Sequence, residues 1–226
     1  LISFLDLYPR IIIFSSLFQL YVFVAIMGVS FTLSSILGEF YKSFKKQKNS
    51  SNFLHSIVKM FLSNRHKNGG YIVHIGIVLL FIGFIGRAFE VEKEFSLSPG
   101  EQIYFSNYVF KLNSIKSEAR DNHYAFLSEI DVVDSSTNQL LTNLKPEKRI
   151  YFYWNSDPEK RQPHSELDIY STIQKDIYSI FSGYDAQKNI GYFKIMINPL
   201  VNWVWIGGVL MVIGSLFAFW PSRRNS

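Results

Sequence analysis

The 226-residue sequence contains no cysteine. Disulfide bonds, thiol catalysis and cysteine-ligated zinc are therefore excluded. Proline is scarce, with seven residues, and none lies in the interior of the three long apolar segments described below. This argues against the broken helices that are typical of transporters. Acidic residues are outnumbered by basic ones, 18 against 23, which gives a formal net charge of +5.

Hydrophobic residues make up 48% of the chain and are concentrated in three blocks, at about residues 11–36, 69–89 and 199–220. Each block is close to the ~20 apolar residues that a helix needs to cross a hydrocarbon core of ~30 Å. The sequence therefore predicts a membrane α-helical protein with three transmembrane helices. Between the last two helices, alternating apolar and polar residues predict an extracytoplasmic β-rich domain.

The basic residues lie beside the predicted spans. Segment 41–68 holds seven Lys and Arg and no acidic residue, whereas segment 90–198 holds 12 basic and 16 acidic residues, a net of −4. An excess of Lys and Arg in a short loop between spans indicates the cytoplasmic side of the membrane. The loop is thus expected to contact membrane lipid, and no nucleic-acid partner is expected. Apolar residues recur at helical spacing over 53–62, which predicts an amphipathic helix on the cytoplasmic surface.

These patterns predict six segments. Residues 1–40 form the first transmembrane helix, 41–68 the basic cytoplasmic loop, 69–89 the second helix and 90–198 the external domain. Residues 199–220 form the third helix and 221–226 a cytoplasmic tail. An external N-terminus without a signal sequence is expected for the tail of a longer polytopic protein or for a split-gene product.

Within the external domain, residues 95–105 read as strand, turn and strand, and strands are also predicted near 108–112, 125–133, 149–153 and 193–197. Segment 134–138 (Asp-Ser-Ser-Thr-Asn) supplies a turn. Segment 170–181 suits either a strand or a short helix. In the second span, Gly76 and Gly83 lie seven residues apart and predict a face on which a neighbouring helix packs closely.

His74 is the only histidine, acid or base well inside any of the three spans. An ionisable side chain in the bilayer is costly and is usually functional. A neutral imidazole there can hydrogen-bond a neighbouring helix, relay protons, or ligate a metal ion or haem iron. Spacing alone leaves these alternatives open. His74 is two residues from Gly76, so it is predicted on the side away from the glycine face.

The other four histidines carry weaker signals. His55 and His66 lie in the basic cytoplasmic stretch, where solvated side chains are expected. His123 and His164 lie in polar external segments and are predicted to be surface loop residues. Neither has the spacing of a zinc site.

Four stretches, in order along residues 66–220, resemble the C-terminal part of the CcmF-type cytochrome c biogenesis proteins, the haem lyase subunit of the System I pathway. They are Gly-Gly-Tyr-Ile-Val-His-Ile-Gly at 69–76, Pro-Glu-Lys-Arg-Ile-Tyr at 146–151, Ser-Glu-Leu-Asp-Ile-Tyr-Ser-Thr-Ile-Gln-Lys-Asp-Ile-Tyr at 165–178, and Asn-Pro-Leu-Val-Asn-Trp-Val-Trp-Ile-Gly-Gly-Val-Leu-Met-Val-Ile-Gly at 198–214.

The resemblance implies that His74 is an axial ligand of a structural b-type haem, with the second transmembrane histidine supplied from outside this chain. It implies a role in attaching haem covalently to apocytochrome c outside the bacterial cytoplasmic (inner) membrane. The implied partners are the rest of the haem lyase complex, a haem chaperone, and apocytochrome c with the subunits that handle its thiols. This chain lacks the Trp-rich haem-handling segment of the family and its two flanking histidines, so haem lyase activity is expected of the complete assembly.

Two other classes of function remain. One is an assembly module that binds no haem, whose external domain docks partner subunits and whose His74 only hydrogen-bonds within the helices. The other is a transporter segment, against which the absence of proline within the spans argues.

Overall fold

A computed structural model of the protein describes residues 16–46, 64–151 and 163–220. The chain divides into two compact units, one formed by residues 1–89 with 199–226 and the other by residues 90–198. The amphipathic helix predicted over 53–62, the cytoplasmic tail at 221–226 and the strand residues 152 and 153 lie outside the described residues.

The first unit is helical. Helix α1 spans Ser16–Lys46, α2 spans Arg65–Gly86 and continues as a 3-10 turn over Arg87–Phe89, and α3 spans Val201–Phe219. In the described part of the chain, three helices are long and apolar enough to cross a membrane, as the sequence predicted. Helix α1 extends beyond residue 36 into the basic segment, because the lysines there continue a good helix-forming sequence.

The ends of the helices have local causes. The Asn64 side chain accepts a hydrogen bond from the Lys67 backbone N–H and so caps α2. Before α3, Pro199 ends the last strand, and Leu200 adopts a left-handed conformation with φ of 63°.

The second unit is a β-sandwich of two sheets, as predicted for a β-rich domain between the last two helices. The four-stranded sheet has the order β1-β10-β9-β8, and the six-stranded sheet has the order β2-β3-β4-β6-β7 with β5 also paired to β4. The strands are β1 Val91–Leu97, β2 Gln102–Phe105, β3 Tyr108–Ala119, β4 His123–Asp134, β5 Leu140–Leu144, β6 Glu147–Tyr151, β7 Pro163–Glu166, β8 Asp168–Ser171, β9 Lys175–Asp185 and β10 Ile190–Pro199.

The core of the sandwich consists of inward-facing residues from both sheets. Phe181 of β9 and Phe193 of β10 stack with ring centroids 4.8 Å apart, and both are almost completely buried. Phe110 and Ile130 come from the opposite sheet and are fully buried. Among the described residues, the side chains that form this core cluster are Leu97, Tyr108, Phe110, Leu112, Ile130, Val132, Leu144, Ile177, Phe181, Phe193, Ile195 and Ile197.

Two local predictions can be completed. The strand, turn and strand predicted over 95–105 are present, but the two strands pair with other strands rather than with each other: β1 pairs with β10, and β2 pairs with β3. The turn instead carries the chain from one sheet to the other. Segment 170–181 contains no helix: it includes the end of β8, a short connection at 172–174 and the start of β9. In β9, Ile177, Ser179 and Phe181 alternate inward into the core of the sandwich.

Candidate functional site

His74 lies in the middle third of α2, a helix that is otherwise apolar from Tyr71 to Gly86. Its side chain is exposed at the surface of this chain, whereas Gly76, two residues further on, is buried. The imidazole and the glycine face therefore lie on different sides of the helix, as the sequence predicted. In a membrane, the exposed side faces lipid or another transmembrane helix.

One ring nitrogen of His74 is already engaged. Nδ1 lies 2.7 Å from the backbone carbonyl oxygen of Gly70, one turn earlier in the same helix. A carbonyl oxygen only accepts hydrogen bonds, so Nδ1 carries the proton and donates it. Nε2 of the neutral ring then keeps its lone pair, and it makes no hydrogen bond to any residue that the structure describes. This arrangement is typical of metal-ligating histidines, whose second nitrogen is fixed by a carbonyl or carboxylate oxygen.

Close packing of α2 against α3 holds the helix that carries His74. A Cβ atom built on Gly76 would lie 2.7 Å from the Gly207 carbonyl oxygen, and one built on Gly83 would lie 2.9 Å from the backbone nitrogen of Val204. Neither glycine can carry a side chain unless the helices move apart. This confirms the predicted glycine face and shows that α3 is the helix packed against it.

Helix α1 contacts α2 near the residue-65 end of α2. Lys67 Nζ lies 2.8 Å from Glu39 Oε2, and the Tyr71 hydroxyl lies 3.4 Å from the same carboxylate oxygen. The rings of Phe40 and Tyr71 are also in contact, with centroids 5.5 Å apart. An aromatic contact about one turn before His74 and an ion pair about two turns before it thus join the two helices.

Further along the same two helices lies an open apolar cavity of about 350 Å³. Ile77, Val78 and Phe81 line it from α2, and these residues follow His74 at positions i+3, i+4 and i+7. Residues with this spacing share one helix face. His74 therefore stands at the end of the row of side chains that lines the cavity; from α1 the lining residues are Tyr21, Val24, Ala25, Gly28, Val29 and Thr32.

His74 suits one coordination position rather than a complete metal site. Among the described residues, no group of three or more His, Asp or Glu side chains is placed to hold a metal ion. A haem iron needs only one or two protein ligands, so a single oriented imidazole fits an axial position. Any second ligand would come from another chain or from segments outside the described ranges.

The other predicted histidine positions are partly wrong. His66 is exposed, as predicted, but lies in the first turn of α2, where its ring contacts Phe219 of α3. His123 is not a surface loop residue: it is the first residue of β4 and only 8% exposed. His164 is exposed but belongs to β7. His55 lies outside the described residues. Strand alternation alone does not reveal which of these imidazoles faces inward, so the sequence missed the burial of His123.

These features define the class: a membrane protein whose three apolar helices carry an intramembrane histidine and whose last two helices bracket a β-sandwich. Residues 88–199 match the family model described as the CcmF C-terminal beta-sandwich. The chain belongs to the CcmF-type cytochrome c biogenesis proteins, as part of their C-terminal portion.

Individual proteins with similar sequences support the same family assignment. The cytochrome c-type biogenesis protein CcmF of Haemophilus influenzae is 24% identical over 200 residues, which cover 88% of this chain and 29% of that protein. CcmF of Pseudomonas aeruginosa is 25% identical over 66% of this chain and 22% of that protein. A probable cytochrome c-type biogenesis protein, NrfE of Escherichia coli, is 25% identical over 68% of this chain and 26% of its own length. The chain thus spans less than a third of these relatives.

The fold is also that of a solved structure, "Cytochrome c Heme Lyase CcmF". It superposes with a TM-score of 0.58 at 18% sequence identity, over 96% of this chain and 34% of that one. The match therefore extends over the helices as well as the β-sandwich.

Proposed function

We propose that this chain is the C-terminal part of a haem lyase subunit, in which His74 supplies one axial ligand of a b-type haem held between transmembrane helices. The complete assembly would attach haem covalently to apocytochrome c on the external side of the bacterial inner membrane. The proposal rests on the names of the relatives for the reaction and on the geometry of His74 for the ligand.

The observation that supports the ligand role most directly is the hydrogen bond from His74 Nδ1 to the Gly70 carbonyl oxygen. It fixes the tautomer with the lone pair on Nε2, at the exposed side of α2. In hydrocarbon, an acceptor without a partner costs on the order of 2 kcal/mol or more. Coordination of Nε2 to iron from a site completed by another helix would remove that cost.

When bound, such a haem would supply one-electron chemistry. The protein's own contribution is to position the imidazole and to exclude water. Close packing of α2 on α3 through Gly76 and Gly207 limits movement of the helix. The apolar row Ile77, Val78 and Phe81 beside His74 keeps its surroundings dry.

The β-sandwich would lie outside the cytoplasmic membrane and serve as a docking or shielding surface. Its partners would be the rest of the haem lyase complex, the haem chaperone and apocytochrome c with its thiol-handling subunits. The basic segment 41–68 would lie on the cytoplasmic side. Membrane lipid is the other expected partner.

The test replaces His74 by leucine in the complete assembly, with His66→Leu as the matched control from the same helix. Leucine keeps the span apolar, so the protein should still insert. His74→Leu should remove most of the b-type haem from the purified complex, measured as the pyridine haemochrome, and should stop cytochrome c maturation. His66→Leu should retain both. A His74→Leu complex with a normal haem content would show that the ligand assignment is wrong.

The same experiment distinguishes the haem-ligand proposal from the alternative, an assembly module that binds no haem. In that case His74→Leu would leave both haem content and maturation near normal, because the imidazole would only bond within its own helix. Reduced accumulation of partner subunits, rather than loss of haem, would then be expected from variants in the β-sandwich.

A further inference from the structure

The β-sandwich holds a cluster of side chains that includes two histidines, His123 of β4 and His164 of β7. The register of β4 and β6 places His123 opposite Tyr151, and the register of β6 and β7 places Arg149 opposite His164. Directly paired residues in antiparallel strands share a sheet face, and so do residues two apart on one strand. All four side chains therefore lie on one face of the six-stranded sheet.

The two imidazoles contact the same phenol ring. The ring centroid of Tyr151 is 5.0 Å from that of His123 and 5.6 Å from that of His164. His123 is buried, whereas His164 is exposed. The cluster thus has a fixed inner member and an outer member that solvent reaches.

One ring nitrogen of His123 has no hydrogen-bond partner among the described residues. Its Nδ1 lies 2.6 Å from the Asn122 side-chain oxygen, which only accepts, so Nδ1 donates. Its Nε2 is buried and makes no hydrogen bond to any residue within 16–46, 64–151 or 163–220. Burying an imidazole acceptor without a partner is unfavourable. A ring with Nδ1 held by an oxygen and a free Nε2 lone pair has the form of a metal-ligating histidine.

The neighbouring positive charge is already compensated. Arg149 Nε lies 2.9 Å from Glu147 Oε2, and Arg149 Nη1 lies 3.2 Å from Glu166 Oε1. Arg120 shares the Glu147 carboxylate at 3.4 Å. Arg120 also lies 3.5 Å from Glu118. Three carboxylates therefore face two guanidinium groups, so the cluster presents no net positive charge to an incoming cation.

We propose that His123 and His164 bind a divalent transition-metal ion of the copper or zinc type beside Tyr151. Imidazole nitrogen is a ligand that suits these ions. His164 is exposed, so it can change rotamer toward the ion without disturbing the core. This site is independent of the haem ligand on α2.

The test uses Cu²⁺ alone as the probe, because it binds nitrogen ligands most tightly among the divalent first-row ions. The full chain, purified in detergent without a polyhistidine tag, should bind Cu²⁺ at a site whose electron paramagnetic resonance spectrum shows coupling to two ligand nitrogens. His164→Gln and His123→Gln should each abolish the two-nitrogen signal and weaken binding at that site by at least about tenfold.

His66→Gln is the control and should retain the signal. His164→Gln keeps the test valid if His123→Gln fails to fold, because residue 164 is exposed. The absence of a two-nitrogen signal in the unmodified chain would overturn the proposal, and so would its persistence in His164→Gln. Loss of the signal in His66→Gln would place the site on the helices and would equally overturn it.

Discussion

Replacement of Gly207 by alanine should push α2 and α3 apart. Replacement of Gly208, the next residue, by alanine serves as the matched control. A Cβ atom on Gly207 would lie 2.5 Å from the Gly76 carbonyl oxygen and 2.8 Å from the Leu80 backbone nitrogen. A Cβ atom on Gly208 would meet nothing within 4 Å. The two glycines are adjacent in one helix, so they have similar membrane depth and helix propensity. They differ in their contacts, because Gly207 packs against the α2 backbone and Gly208 does not.

The magnitude follows from the distances. Ordinary van der Waals contact begins near 3.4 Å, so the alanine methyl group requires a movement of 0.9 Å, the difference between 3.4 and 2.5 Å. A gap of this size forfeits about a quarter to a half of the dispersion energy of the surrounding atom pairs. The clashing atoms are backbone, which has no rotamer with which to escape. Overpacking of this kind costs about 1–3 kcal/mol, whereas Gly208→Ala should change stability by less than about 0.5 kcal/mol.

The assay is unfolding of the purified chain in mixed micelles by increasing SDS, followed by the fluorescence of Trp203 and Trp205 on α3. Gly207→Ala should unfold at a lower SDS fraction than the unmodified chain, and Gly208→Ala at the same fraction. Adding Gly76→Ala to Gly207→Ala should cost less than Gly76→Ala alone, because the helices have already moved apart. Equal midpoints for Gly207→Ala and Gly208→Ala would refute the close contact between α2 and α3.

Three further predictions concern the β-sandwich and the topology. Phe181→Ala should destabilise the chain by about 3–5 kcal/mol in denaturant unfolding, because it removes a buried stacked ring, whereas exposed Ile173→Ala should have little effect; equal effects would contradict the assigned core. Hydrogen bonds from the Ser136 hydroxyl and from the backbone N–H groups of Thr137 and Ser136 lower the pKa of Asp134 to about 2. Its contribution to stability should therefore be complete above pH 4 and be lost as the pH falls toward 2, and an NMR titration giving an ordinary carboxyl pKa would exclude these bonds. In intact cells, a membrane-impermeant thiol reagent should label cysteine at Ser135 and not at Ser50, which the absence of native cysteine makes unambiguous; the reverse pattern would invert the topology.

The sequence predicted the helices and the glycine face because both depend on local patterns. A run of apolar residues is sufficient to identify a span, and the seven-residue spacing of Gly76 and Gly83 places them on one helix side. Gly70 and His74 are four residues apart, and residues with this spacing are neighbours on a helix. The sequence is therefore compatible with the hydrogen bond between them. The choice of Nδ1 as its donor depends on the side-chain rotamer, which no spacing specifies.

The sequence does not predict which strands pair with each other, and the reason is different. The turn at Ser98–Glu101 is a good local hairpin signal, yet Val91 pairs with Ile197 at the far end of the domain. Such long-range pairing is decided by which faces bury the most apolar surface, not by the turn. For the same reason, the sequence does not predict the burial of His123. Its burial and its contact with Tyr151 depend on the pairing of β4 with β6.

The most direct test of the central claim is the electron paramagnetic resonance spectrum of the ferric haem in the complete assembly, compared between the unmodified protein and His74→Cys. If His74 Nε2 ligates the iron, replacing it by cysteine should reduce the haem content and change the g values of what remains from those of bis-histidine ligation, because a sulfur replaces one nitrogen. His66→Cys should leave the spectrum unchanged. An unaltered bis-histidine spectrum at full haem content in His74→Cys would contradict the account.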